Sequence, residues 1–266
     1  MNLNRPRLNK EQLKVVQEMK GQGEIRSYLL IGCLHVPFHN KYIMDGIYKL
    51  MDCRKFDGIV IGGDFNDFGA LSSYEVGKIN RTGIKLDDEY FAGNLVLDEL
   101  DSRLPKDAEK IFMYGNHEHR YWRWLADVDH DKLGELLDPS KALKLDKRGY
   151  KVYDQYKKDQ YKLGSLYIFH GDFWNIHVAK KTLDTWKRNV LFWHTHRTQL
   201  HREGDFCGYN VGFLGDIDSP AFDYAPRSQK NKWSNGFAIA HTVGNRHYVE
   251  MINCVGNGFV YAGTKY

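Results

Sequence analysis

Paired cysteines are missing from this sequence. Its four cysteines, Cys33, Cys53, Cys207 and Cys254, lie far apart along 266 residues and form no CxxC unit, which excludes a zinc ribbon and a secreted disulfide framework. At three of the four positions they read as the reduced thiols of a cytosolic protein. Long apolar runs are missing as well: no stretch approaches the roughly 20 apolar residues needed to cross a bilayer. The first 24 residues, MNLNRPRLNKEQLKVVQEMKGQGE, lack the apolar segment of a signal peptide, so the expected location is the cytoplasm and no membrane partner is expected. Strong charge is lacking too. A net charge of +4 and a pI near 8.7 favour the approach of an anionic ligand, but fall short of what indiscriminate nucleic-acid binding requires. With no repeat, low-complexity tract or Pro/Gly-rich linker, the chain divides into an N-terminal helical leader over residues 1–24 and a single domain over 25–266.

What is present is an alternation. In the leader, Asn9 can cap a helix over 9–20 with Gln12 three positions on and Leu13, Val16 and Met19 at helical spacing, before Gly21 and Gly23 stop it. Then come SYLLIG (27–32), a helix near 41–53, GIVIGG (58–63), a helix near 86–103 and KIFMYG (110–115). Continuous apolar runs separated by helices are what a parallel sheet covered on both faces produces, which sets the class as α/β. Residues 117–165 read as helices plus a crossing strand. SLYIFHG (165–171), a helix near 176–186 and NVLFWH (189–194) follow, and strands over 206–214, 236–242, 247–254 and 257–261 close the chain.

Five of these runs end alike. Cys33 and His35 follow LLIG, Asp64 follows IVIGG, Asn116 and His117 follow FMYG, His170 closes LYIF, and His194 and His196 follow LFW. Ligands collect outside the carboxyl ends of strands in an open α/β sheet, so these residues are expected to share one edge. Singly each motif is weak, because a lone buried His or Asp is more often a hydrogen-bonded core residue.

In order, CLH, GGDFND, GNHE, HGD and HTH resemble the motif set of the calcineurin-like metallophosphoesterase superfamily over roughly residues 27–200. With the late NKWSNGFAI, they look like bacteriophage and prophage-type members, which would place the protein in the cytoplasm of a bacterial host. The resemblance implies a four-layer sandwich of two mixed β-sheets flanked by helices. It also implies two divalent metal ions. One would be held by Cys33, His35, Asp64 and His196, the other by Asp64, Asn116, His170 and His194, with Asp64 bridging. A metal-bridging hydroxide would attack phosphorus. His117 would be the general acid and Asp67 the residue that hydrogen-bonds it. The implied activity is hydrolysis of a nucleotide or nucleic-acid phosphodiester. A phosphomonoesterase, or a binding protein with a degenerate site, is the alternative, and no protein partner is inferable.

The sequence departs from that pattern in three places. Trp193 replaces the first glycine of G-H-x-H, a change expected to alter only local packing. DFNDFG lacks the D-R-G continuation of the Ser/Thr protein phosphatases. Cys33 stands where an aspartate is usual, as it does in the RNA lariat debranching enzymes, whose first motif resembles this one. As thiolate it conserves the charge but favours zinc or iron over magnesium, calcium or manganese, so Zn or Fe is expected at its site and Mn, Fe or Zn at the second. The opposite reading is that Cys33 disables the first site.

HRYWRW (119–124) offers cations and aromatic rings for a nucleotide-binding rim, Arg120 foremost, although a helix there would also turn some of them into the core. Arg197, directly after HTH, is either a phosphate contact or a surface strand residue. GALSSYEVGKINRTGIK (69–85) is either a loop over the site or an ordinary connection.

Overall fold

A computed structural model of the chain describes residues 9–13, 24–72, 83–127 and 137–266. The expected leader helix is seen only in its first turn, where Asn9 and Gln12 cap each other: the Gln12 amide N–H donates to Asn9 Oδ1 and the Asn9 amide N–H to Gln12 Oε1. Residues 14–20 of that helix, 73–82 of the segment after the second motif and 128–136 lie outside the described residues.

The first sheet begins with β1 (Arg26–Ile31), followed by helix α1 (Lys41–Cys53), β2 (Gly58–Ile61), helix α2 (Leu86–Ser102) and β3 (Glu109–Met113). Helix α3 (His119–Asp127) and the short α4 (Pro139–Ala142) lead to β4 (Tyr150–Tyr153). β1 to β4 are parallel. A second series supplies β5 (Tyr161–Leu163), β6 (Leu166–Ile168), helix α5 (Val178–Trp186), β7 (Val190–Phe192), β8 (Thr198–Glu203) and β9 (Phe206–Val211). These strands form a five-stranded sheet in the order β5-β6-β7-β9-β8, with β6, β7 and β9 parallel and both edges antiparallel. After a short α6 (Arg227–Lys230), β10 (Gly236–Val243) and β11 (Arg246–Asn253) return to the first sheet, giving the order β11-β10-β1-β2-β3-β4. A two-stranded ribbon, β12 (Val260–Tyr261) and β13 (Thr264–Lys265), ends the chain.

Alternation along β1 shows how the layers stack. Leu29 and Ile31 face Ile43, Ile47, Leu50 and Leu97 of α1 and α2, while Tyr28 and Leu30 face Ile168, Leu191 and Val211 of the second sheet. Helix α5 covers the far face of that sheet with Val178, Ala179 and Leu183. The result is the four-layer sandwich, helices outside and two mixed sheets inside. α1 starts where Asn40 accepts the Ile43 amide N–H on its side chain. No helix among the described residues is long and apolar enough to cross a membrane.

Trp193 does more than adjust local packing. Its buried indole fills the space between the sheets and lies flat against the backbone of Gly32 and Gly62, where a Cβ on Gly62 would stand 2.0 Å from the ring. Bulk missing from β1 and β2 is thus supplied from the end of β7.

Candidate metal centre

The loops after β1 and β2 extend the parallel ladder beyond the strands. Cys33 donates its amide N–H to the Gly63 carbonyl, His35 to that of Asp64 and Val36 to that of Phe65. Cys33, His35, Asp64, His194 and His196 all have left-handed backbones, with φ between 48° and 71°. Gly63, at φ 91°, has no alternative residue, because a Cβ there would meet Gly115 N and His170 Nδ1 at 2.6 Å.

The structure brings the side chains of all five strand ends together. Ligand atoms of Cys33, His35, Asp64 and His196 lie within 4.8 Å of one another, as do those of Asp64, His170 and His194, so Asp64 belongs to both groups. All are buried. Asn116 joins the second group with Oδ1 3.2 Å from His170 Nε2, while Asp64 Oδ2 is also 3.2 Å and His194 Nδ1 3.3 Å from that nitrogen.

Hydrogen bonds on the far side of the rings fix which nitrogens face inward as lone pairs. His35 Nδ1 lies 3.0 Å from the Asp67 carboxylate and His170 Nδ1 2.8 Å from the Gly62 carbonyl, both acceptors, so each donates outward and leaves Nε2 for the cluster. His35 Nε2 then meets His196 Nε2 at 3.0 Å. Inward-facing nitrogens, a carboxylate, an amide oxygen and a thiol at this density repel unless a cation or a proton lies between them. The donor set therefore fits metal ions.

Electrostatics agree with this. Burial lowers the pKa of His35 with help from the His117 charge, takes His194 down to about 3 with help from His170, and holds His196 well below its usual range with help from His35. These are neutral imidazoles, the form that ligates. Burial would also lower His170, but the adjacent Asp64 charge outweighs it and raises the pKa. Burial opposes ionisation of Asp64, yet the charges of His170 and His117 hold its carboxyl well below the carboxylate range. A proton on His170 Nε2 occupies the place where a cation would bind, and the two would compete for it. Burial, then the Asp64 charge, pushes the Cys33 thiol up; its sulfur accepts the His194 amide N–H at 3.4 Å.

His117 sits beside these groups. Its amide N–H donates to Asp64 Oδ1 at 2.8 Å, its Nδ1 faces the Asp67 main-chain carbonyl, and Arg120 Nη2 approaches its Nε2 at 3.1 Å. Asp67 thus contacts His117 mainly through its backbone. Its carboxylate is nearer His35, at 3.0 Å, than His117 Nδ1, at 3.4 Å. Arg120 also donates to the Asp67 carbonyl at 2.8 Å, fixing its guanidinium at the mouth of a cleft of about 660 Å³ lined by Asp64, Asn116, His117 and His194. Within the 119–124 segment, Arg120 and Arg123 line the cleft, whereas Tyr121 is buried and Trp122 packs against the helix-side core. Arg197 does not line it. The chain turns there into β8, and Arg197 Nη1 reaches the Asn175 carbonyl at 3.4 Å.

One buried acid escaped the sequence reading although it ends the GNHE motif. Glu118 accepts the amide N–H groups of Asp64 at 2.9 Å, Gly115 at 2.8 Å and Phe65 at 2.7 Å, and so ties the second motif loop to the third. Glu89 of α2 does the same for the next turn, accepting from Phe68 and Ala70. Tyr156 and Trp174, on loops without any pattern, also line the cleft beside His170 and His194.

Two mixed sheets flanked by helices, with a cluster of possible metal-ligating side chains on the loops at one edge, make this the metallophosphoesterase fold. Vps29 from Chaetomium thermophilum is similar to this chain with a TM-score of 0.50 and 14% identity, covering 91% of this chain and 97% of that one. Vacuolar protein sorting 29 from Cryptosporidium parvum gives 0.47 and 14% over 91% and 98%. A predicted phosphoesterase from Streptococcus pneumoniae gives 0.36 and 13% over 91% and 97%. The likeness to these chains is one of fold. No family model and no curated protein matches the sequence.

Proposed function

We propose that the chain is a metal-dependent phosphodiester hydrolase for nucleotide or nucleic-acid substrates. The observation that carries this reading is the sharing of Asp64 by two groups of inward-facing ligand atoms, with His117 beside both and an open cleft above. Cys33, His35, Asp64 and His196 hold one divalent ion, Zn or Fe by the softness of the thiolate; Asp64, Asn116, His170 and His194 hold the other, Mn, Fe or Zn. Bound there, the pair supplies an activated water and neutralises phosphate charge.

The remaining work falls to the chain. Asp67 orients His35 through its carboxylate and His117 through its carbonyl. Arg120, 3.1 Å from His117 Nε2, would turn onto a phosphate oxygen, and His117 in its protonated form, with Nδ1–H held by the Asp67 carbonyl, would give its Nε2 proton to the leaving oxygen. Phe68, standing between Asp67 and Gly69 where the D-R-G continuation would have arginine, weighs against a phosphoprotein substrate.

The test is turnover of bis-p-nitrophenyl phosphate against p-nitrophenyl phosphate with Zn, Fe or Mn. The diester is expected to be preferred, and His117→Ala to lower kcat by about 10²–10⁴ with the metal content unchanged. Preference for the monoester would make the protein a phosphomonoesterase. No turnover of either ester with any of the three metals would make it a binding protein.

A further inference from the structure

We infer that the cleft accepts a single-stranded polynucleotide, with one base stacked on Trp174 and Tyr156 beside the reacting phosphate and a neighbouring phosphate held by Arg123 and Lys157; this rests on the hydrolase reading above. Trp174 is 56% exposed, contributes to neither core, and stands in the cleft wall with its ring centroid 4.1 Å from that of His194. Tyr156 continues the same wall, 5.7 Å from the His170 ring and 6.4 Å from the His194 ring. Trp174 and Tyr156 give the cleft an aromatic wall next to the cluster of metal-type ligands, and the flat partner that such a wall suits is a base.

Charge extends the same way. Arg123 and Lys157 both line the cleft, with Lys157 Nζ 5.4 Å from the Tyr156 ring centroid, so cations border the aromatic wall. A single phosphate at the metal centre needs neither of them. With about 660 Å³ the cleft has room for a nucleotide and the phosphate that follows it. A wall of ring faces is suited to stacking rather than to reading base edges, so little sequence preference is expected.

The experiment is equilibrium binding to the full chain in EDTA, where no turnover consumes the probe. The ligands are short oligothymidylate and oligouridylate, and a chain of equal length built from abasic sugar phosphate. The base-bearing chains should bind at least about tenfold tighter than the abasic one. Trp174→Ala should erase that difference and leave abasic binding unchanged, and Trp174→Phe should restore most of it. Arg123→Ala with Lys157→Ala should weaken all chains alike and flatten the slope of log affinity against log salt by about 1.4. Equal affinity for base-bearing and abasic chains, or equal losses on both in Trp174→Ala, would overturn the inference. Ester turnover without base-dependent binding removes the stacking subsite and keeps the hydrolase; base-dependent binding without turnover does the reverse.

Discussion

Removal of the Glu118 carboxylate is the most direct test of how the ligand loops are held. Glu118→Ala leaves three buried amide N–H groups, those of Asp64, Phe65 and Gly115, without an acceptor. Each orphaned donor costs about 1–3 kcal/mol. Three together, less the relief of removing a buried negative charge beside Asp64, amount to a net loss of about 3–5 kcal/mol. At about 2 °C per kcal/mol for a chain of this length, the melting temperature should fall by roughly 6–10 °C. Glu118→Gln keeps one oxygen, which can still serve Asp64 and Gly115 together, but turns an N–H towards that of Phe65. It should lose about half as much. Thermal and urea unfolding followed by circular dichroism measure both variants. An alanine variant within about 1 kcal/mol of the wild type, or a glutamine variant worse than the alanine one, would refute the account of Glu118 as the clamp between the loops.

Cys33→Asp should keep the fold and move metal preference from Zn or Fe towards Mn or Mg; an unchanged profile in metal analysis of anaerobically prepared protein would mean that Cys33 is not a ligand. Burial, with the Asp67 charge adding to it, lifts Glu89 to about 8. Since its folded pKa lies above the unfolded value near 4.5, its contribution to stability is complete below that pH and lost as pH rises through 8. The wild type should therefore lose stability across that window relative to Glu89→Gln, and parallel urea-midpoint curves would contradict this. Gly62→Ala pushes a Cβ into the Trp193 ring and should cost at least about 3 kcal/mol, part of it recovered by Trp193→Leu in the same chain; strict additivity in the double-mutant cycle would show that the two do not touch.

Much of this molecule is legible in its sequence because buried parallel strands declare themselves. Leu29 and Ile31 bury on one face and Tyr28 and Leu30 on the other, so β1 reads as an unbroken apolar run, and β2, β3 and β7 do likewise. The edge strands of the second sheet do not. β8, TQLHRE, has water on both sides and carries no apolar signal, and β5 has three residues with Lys162 exposed between two buried neighbours. The expected strand over 257–261 shrinks to Val260–Tyr261 because Val255 and Gly258 form only an isolated bridge before it. At the site, ligand-type residues at the ends of apolar runs betrayed the cluster, since strand ends are where a sheet puts them. Contacts set by loop geometry were hidden. Whether Asp67 favours His35 or His117, and whether Arg197 turns inward, depends on backbone paths that spacing does not encode. Trp174 and Tyr156 reach the cleft from segments with no periodicity at all.

The left-handed backbones at Cys33, His35, Asp64, His194 and His196 have a further consequence. A side chain in that conformation costs on the order of 1–3 kcal/mol, so the five positions together oppose folding by about 5 kcal/mol or more. Glycine at any of them would relax the chain while deleting a side chain of the proposed metal centre. Chemistry and robustness are thus set against each other residue by residue. Under a screen for heat resistance alone, glycine should accumulate first at these five places, and the hardiest descendants would be those that had lost the proposed metal centre.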